Sequence, residues 1–156
     1  VVPSPEPLRI VEQGAIATLA DRGVVPVCAG GGGIPVVRED GRLRGVEAVI
    51  DKDRTSARLA EALGADLLLL LKADRCDIYT DVDGVYRRWG EADAERLSTI
   101  SAGDVDSLDL PAGSMGPKVS AALGFTRATG RAAVIGRLED AAALARGEGG
   151  TRVIGA

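Results

Sequence analysis

Histidine is absent from the chain, and with it every serine or cysteine triad that needs an imidazole base. Cysteine is scarce as well. Cys28 and Cys76 stand far apart, with no CxxC or His-rich spacing, so zinc and disulfide scaffolds are poor readings. Aromatic residues make up only 3%, which leaves any core to aliphatic side chains. No apolar run exceeds the five leucines Leu67 to Leu71, far short of the ~20 residues of a membrane helix. No secretory signal is visible, so a reducing cytoplasm is the expected compartment. The chain starts at Val1 rather than at methionine, which leaves room for a preceding segment. Positive charge is not in excess: 19 Lys and Arg against 23 Asp and Glu give a net charge of −4. That balance argues against a general nucleic-acid or membrane-surface role. Any phosphate site has to be built from a few placed lysines and backbone amides.

What is present is globular in composition, 46% apolar and 27% charged. The 156 residues fit one domain, residues 1–156, able to bury a substantial core. The stretch Gly45-Val46-Glu47-Ala48-Val49-Ile50-Asp51-Lys52-Asp53 organises the rest. Its β-branched run reads as a strand, Val46 to Ile50, that delivers two carboxylates and a lysine to its C-terminal tip, where open α/β sheets bind ligands. Asp51 or Asp53 serves equally well as the N-cap of the helix expected from about Arg54 to Leu63, closed by Gly64.

Upstream, Leu8, Val11, Ala15, Ile16 and Leu19 recur at helical spacing up to Gly23, a C-cap. Val24 to Ala29 reads as a short buried strand ending in Gly30-Gly31-Gly32-Gly33. Four glycines there let backbone amides approach a phosphate or carboxylate, or simply form a turn. Asp40-Gly41 between Val36-Val37 and Leu43 marks a hairpin. Asp66 and the five leucines predict a fully buried strand, parallel to Val46–Ile50 through a right-handed crossover.

Further on, Thr80-Asp81-Val82-Asp83-Gly84-Val85-Tyr86 suits a loop beside a ribose or base, or an Asx-type turn. Residues 91–109 read as a surface excursion. In Gly113-Ser114-Met115-Gly116-Pro117-Lys118, glycines, a first-turn proline and a lysine gather amides, helix dipole and ammonium around one point, which attracts phosphate. A solvated surface lysine is the plainer alternative. A helix to Gly130, a strand Ala132–Gly136, a helix Leu138–Ala145 and a closing strand Thr151–Ile154 complete the pattern.

Five motifs occur in the order found in the amino acid kinase family: Val1-Val2-Pro3-Ser4-Pro5, Gly30 to Val36, Gly45 to Asp53, Gly113 to Val119, and Gly150-Thr151. On these residues the chain resembles the C-terminal, ATP-binding half of the carbamate kinases within that family. The resemblance implies a three-layer α/β/α sandwich around a mainly parallel sheet, lacking its N-terminal half. It implies phosphoryl transfer between ATP and carbamate, giving ADP and carbamoyl phosphate, or the reverse, with Mg²⁺ bridging phosphates and no protein metal ligand. It further implies a cytoplasmic enzyme of arginine metabolism, homodimeric when full length. By the same resemblance Asp53 and Lys118 are catalytic, Asp53 holding lysines in place and Lys118 stabilising the transferring phosphoryl group. Thr80, Asp81, Val82, Tyr86, Gly113, Ser114, Met115 and Gly116 belong to the nucleotide site. Gly30, Gly31, Gly32 and Gly33 form the phosphate or substrate loop.

Two departures stand beside the resemblance. The family's first glycine-rich loop, a further catalytic lysine and most of the acceptor site belong to the half that is absent. In addition, Lys72 to Tyr79 intervenes where the family runs straight from strand to Thr-Asp-Val-Asp loop. The segments 66–71 and 75–80 read like one strand written twice, and only one fits the sheet position. Residues Ala73 to Tyr86 look more like aspartate kinases, so a kinase of another carboxylate acceptor, or an inactive nucleotide-binding module, stays open.

Overall fold

The computed structural model describes residues 1–72, 82–101, 103, 104, 108, 110 and 115–155. The chain forms two compact units, Val1–Leu63 and Gly64–Ala156.

The first unit holds helix α1 (Gln13–Asp21), strands β1 (Val36–Glu39) and β2 (Arg42–Gly45), and helix α2 (Lys52–Leu63). α1 ends as its sequence dictates. Gly23 takes φ +78°, its N–H donates to Ala20 O, and the Val24 N–H donates back to Leu19 O. Together these bonds make a Schellman cap. The hairpin is equally legible: Asp40 and Gly41 both have positive φ, the geometry a two-residue type I′ turn requires.

The two strands expected around the glycine run do not form. Val24–Ala29 and Val46–Ile50 join no ladder among the described residues, and Val25 and Val27 are 88% and 99% exposed. β-Branched composition favours a strand only where a neighbouring strand accepts its backbone bonds. Here Val46 N–H goes to Pro35 O and Val49 N–H to Pro3 O instead. The expected crossover from Val46–Ile50 is therefore not formed as a ladder.

The second unit is built on a four-stranded sheet. Its strands are β3 (Leu68–Lys72), β6 (Thr99–Ser101), β7 (Ala133–Arg137) and β8 (Thr151–Ile154), in the order β3-β7-β8-β6. β3 pairs β7 and β6 pairs β8 in parallel, while β7 and β8 run antiparallel. A separate hairpin joins β4 (Val85–Arg87) to β5 (Glu95–Leu97). Of the two strand-like segments, 66–71 supplies β3, and 75–80 lies outside the described residues. β3 is single-faced rather than fully buried: Leu68 and Leu70 are buried while Leu69 and Leu71 are half-buried, as suits a sheet edge. The expected surface excursion over 91–109 contributes β5, β6 and the fully buried Ile100. Its short alternation is masked by polar neighbours.

Helices α3 (Met115–Thr129) and α4 (Ala141–Ala145) cover the sheet. A Cβ on Gly136 would meet Leu144 of α4 at 2.6 Å, so α4 lies on the face of Val134 and Gly136. Ala133 and Ile135, equally buried, point the other way, toward α3. The architecture is mixed α/β with a parallel-rich central sheet between helices. α4 is shorter than the expected Leu138–Ala145, because residues 138–140 form a turn.

The direction of α3 matters most for function. A Cβ on Gly155, just past β8, would lie 3.7 Å from Thr126 O, near the C-terminal end of α3. Since β8 is antiparallel to β7, that point lies beside the start of β7. α3 therefore runs back along β7, and its N-terminus rises at the carboxyl ends of β3 and β7, where α/β sheets take their ligands.

Candidate functional site

In the first unit the question of which aspartate caps α2 has a geometric answer. Asp51 Oδ1 accepts the N–H groups of Asp53 at 2.9 Å and Arg54 at 3.1 Å. That is the bonding of an N-cap. Asp53, the second residue of the helix, is left for another purpose, and it is only 6% exposed. Its Oδ2 lies 3.7 Å from Lys52 Nζ, whose side chain is 60% exposed. A buried carboxylate thus steadies a lysine that reaches solvent. Sequence reasoning gave Lys52 no role of its own, although its place between two aspartates at a helix start was the available signal.

The glycine run folds onto the same helix start. Thr55 Oγ1 donates to Gly32 O at 2.7 Å and lies 3.2 Å from Asp51 O. Gly32 has φ +142°, and a Cβ there would sit 1.8 Å from Ile50 O, so only glycine fits. Two of the four glycine amides turn inward rather than outward: Gly30 N–H donates to Cys28 O and Gly32 N–H to Ala29 O. The loop is fixed against the backbone that carries Asp51 and Asp53, with Gly31 and Gly33 at its rim. Thr55, the buried fastener, was not singled out in the sequence.

In the second unit, Met115 and Gly116 open α3, with Pro117 in the first turn, where a missing N–H costs no helical bond. Lys118 follows and is 4% exposed. Lysine is almost never buried to that degree without a specific partner or role. Val82 is buried, and Tyr86 Oη donates to Asp83 Oδ1 at 2.8 Å. That hydrogen bond, burial and the Asp83 charge raise the Tyr86 phenol above its ordinary value, against the opposing charges of Arg96 and Arg137. The Tyr86 ring meets Trp89 edge-on at 5.0 Å. Arg96 Nη1 lies 3.5 Å from Asp83 Oδ2 and 3.4 Å from Gly150 O.

Gly150-Thr151 locks this loop to the sheet. Thr151 is fully buried; its hydroxyl accepts the Val85 N–H at 2.7 Å and donates to Leu97 O at 2.5 Å. Gly150 has φ +66°, and a Cβ there would meet Ile135 O at 2.8 Å. Thr80, Asp81, Gly113 and Ser114 lie outside the described residues. Among the described residues no group of three or more His, Cys, Asp or Glu could hold a metal ion.

The family model for amino acid kinases matches residues 2–137. The chain belongs to the amino acid kinase family. Within it, the chain is similar to the carbamate kinase of Rhizobium meliloti, 47% identical over 97% of this chain and 45% of that protein. It is similar also to the carbamate kinase of Haemophilus influenzae, 45% identical over 98% of this chain and 47% of that protein. Carbamate kinase from Giardia lamblia bound to AMP-PNP superposes with a TM-score of 0.89 and 42% identity, covering all of this chain and 48% of that one. The chain therefore spans about half the length of the carbamate kinases it matches. This amino acid kinase chain has its glycine loop, Asp53 and Lys118 each at a helix start, the recurring site of anion recognition.

Proposed function

We propose that the chain carries the nucleotide half of a carbamate kinase-type phosphotransferase, converting ATP and carbamate to ADP and carbamoyl phosphate and running in reverse. The observation that carries this reading is the division of labour at α2, where Asp51 caps the helix and Asp53 stays buried beside Lys52. A helix needs one cap. A second, buried carboxylate that orients a lysine serves phosphoryl transfer, where positioning and charge stabilisation supply most of the rate.

In this reading Lys52 and Lys118 attract phosphoryl oxygens, and Asp53 is a positioning residue for Lys52. Val82, Tyr86, Met115 and Gly116, with Thr80, Asp81, Gly113 and Ser114, line the nucleotide. Gly30 to Gly33 face the phosphate or the acceptor. Support comes from the Giardia relative, whose structure holds AMP-PNP. Mg²⁺ enters this reading as the nucleotide's own counter-ion, the usual arrangement for this cation. The reading includes a cytoplasmic homodimer acting on small molecules rather than nucleic acid, consistent with a net charge of −4.

The test is a graft in which this chain replaces the stretch it matches in the Haemophilus influenzae carbamate kinase. ATP formation from carbamoyl phosphate and Mg·ADP by a folded graft is the expected result. Nucleotide binding by the folded graft without ATP formation would make the chain a binding module.

A further inference from the structure

The chain has one tryptophan, two tyrosines and one phenylalanine, and two of these four rings meet at the β4–β5 hairpin. Tyr86 is half-buried and lies edge-on to Trp89 at 5.0 Å, while Trp89 is 43% exposed. Phe125 by contrast is fully buried in the core. An open aromatic pair in so aromatic-poor a chain is a surface on which a flat ring can stack. Its place in the fold is fixed. Thr151 holds both hairpin strands, and it pairs with Ile135 near the carboxyl end of β7. A Cβ on Gly84 would lie 2.6 Å from the Thr151 hydroxyl, so the loop before β4 closes tightly on the sheet. The charge of Arg137, the last residue of β7, reaches Tyr86. The hairpin thus stands at the end of the sheet where α3 begins.

Tyr86 and Arg96 are direct partners in the antiparallel ladder, so their side chains share a face of the hairpin. Asp83 closes a chain between them. One carboxylate oxygen accepts the Tyr86 hydroxyl at 2.8 Å, and the other lies 3.5 Å from Arg96 Nη1, which also donates to Gly150 O at 3.4 Å. With side chains 37% and 31% exposed, Arg96 and Asp83 form an ion pair that adds little to stability. What it fixes is geometry. Arg96 reaches from the residue before β8 to Asp83, Asp83 holds the phenol, and the Tyr86 ring is kept in place beside Trp89. A ring already held in one orientation pays less entropy when a ligand stacks on it.

We infer that Arg96 and Asp83 are positioning residues for the base end of the nucleotide site, holding Tyr86 so that it and Trp89 form a stacking platform for the purine ring. The inference rests on the nucleotide reading above and extends it to Trp89 and Arg96, which lie outside the motifs. Its test follows the fluorescence of Trp89, the chain's one tryptophan, in the full chain titrated with adenosine, Mg·ADP and tripolyphosphate, with calorimetry giving each affinity. Adenosine and Mg·ADP are expected to change the emission, and tripolyphosphate to leave it alone. Arg96→Gln is expected to weaken adenosine and Mg·ADP by the same factor, about tenfold, within the range of one stacked base, and to spare tripolyphosphate. Arg96→Lys restores a cation beside Asp83 and is expected to recover most of that loss. Trp89→Leu, a change at the exposed ring, is expected to weaken the same two ligands, and it tests the platform even if Arg96→Gln does not fold. ADP binding that leaves Trp89 emission unchanged overturns the inference, as does unaltered Mg·ADP affinity in Trp89→Leu or in a folded Arg96→Gln; the nucleotide reading survives each of these. An equal loss for tripolyphosphate in Arg96→Gln overturns it too, by moving the effect of Arg96 to the phosphates or the fold. A parent chain that binds neither adenosine nor Mg·ADP removes the nucleotide reading and the inference together.

Discussion

At the scale of single residues, the chain separates two carboxylates that look interchangeable in sequence. Asp51 accepts two amides and Asp53 accepts neither. Asp51→Ala is therefore expected to cost ~1 kcal/mol of stability, read as a lower melting temperature, whereas Asp51→Asn keeps the cap and the melting temperature. Equal melting of Asp51→Ala and the parent would remove Asp51 from the cap. Tyr86 offers a pH test. Its phenol is raised, first by the hydrogen bond to Asp83, so the folded state favours the protonated form. The stability it contributes is fully present below the unfolded value of about 10 and is lost as pH rises through the higher folded value. Alkaline titration of tyrosinate absorbance and of melting should show this arm in the parent and not in Tyr86→Phe. An alkaline melting profile identical in both would contradict it.

Elements show why part of the fold was legible and part was not. The Asp40-Gly41 turn and the Gly23 cap depend on local backbone conformation, which residue type announces directly. Val24–Ala29 and Val46–Ile50 have strand composition but no ladder, because pairing is a property of neighbours that no local pattern contains. The site follows the same division. Asp53 and Lys118 could be named from motifs, whereas the hydroxyls of Thr55 and Thr151 tie together segments distant in sequence, at Gly32 and at Val85 and Leu97. Glycine supplies the element-scale prediction. Gly32→Ala combines a positive φ with a Cβ 1.8 Å from Ile50 O and should cost roughly 1–3 kcal/mol or more. Gly31→Ala meets nothing within 4 Å and should be close to neutral. Thermal melting compares them, and a harmless Gly32→Ala would detach the glycine loop from the start of α2.

For the whole molecule, coverage of 45–48% of its carbamate kinase relatives sets the expectation. The chain alone should bind Mg·ADP, seen as a ligand-dependent rise in melting temperature, and should not make ATP from carbamoyl phosphate. Robust turnover by the isolated chain would contradict this. The central claim is that Asp53 acts through charge and not as a cap. Its most direct measurement is the steady-state rate of ATP formation by the Haemophilus graft carrying Asp53→Asn, alongside its melting temperature and ADP affinity. Asparagine keeps size and capping capacity but removes the charge that holds Lys52. The predicted result is a rate loss of ~10²-fold or more, with melting and ADP affinity nearly unchanged. An undiminished rate with undiminished melting would contradict it.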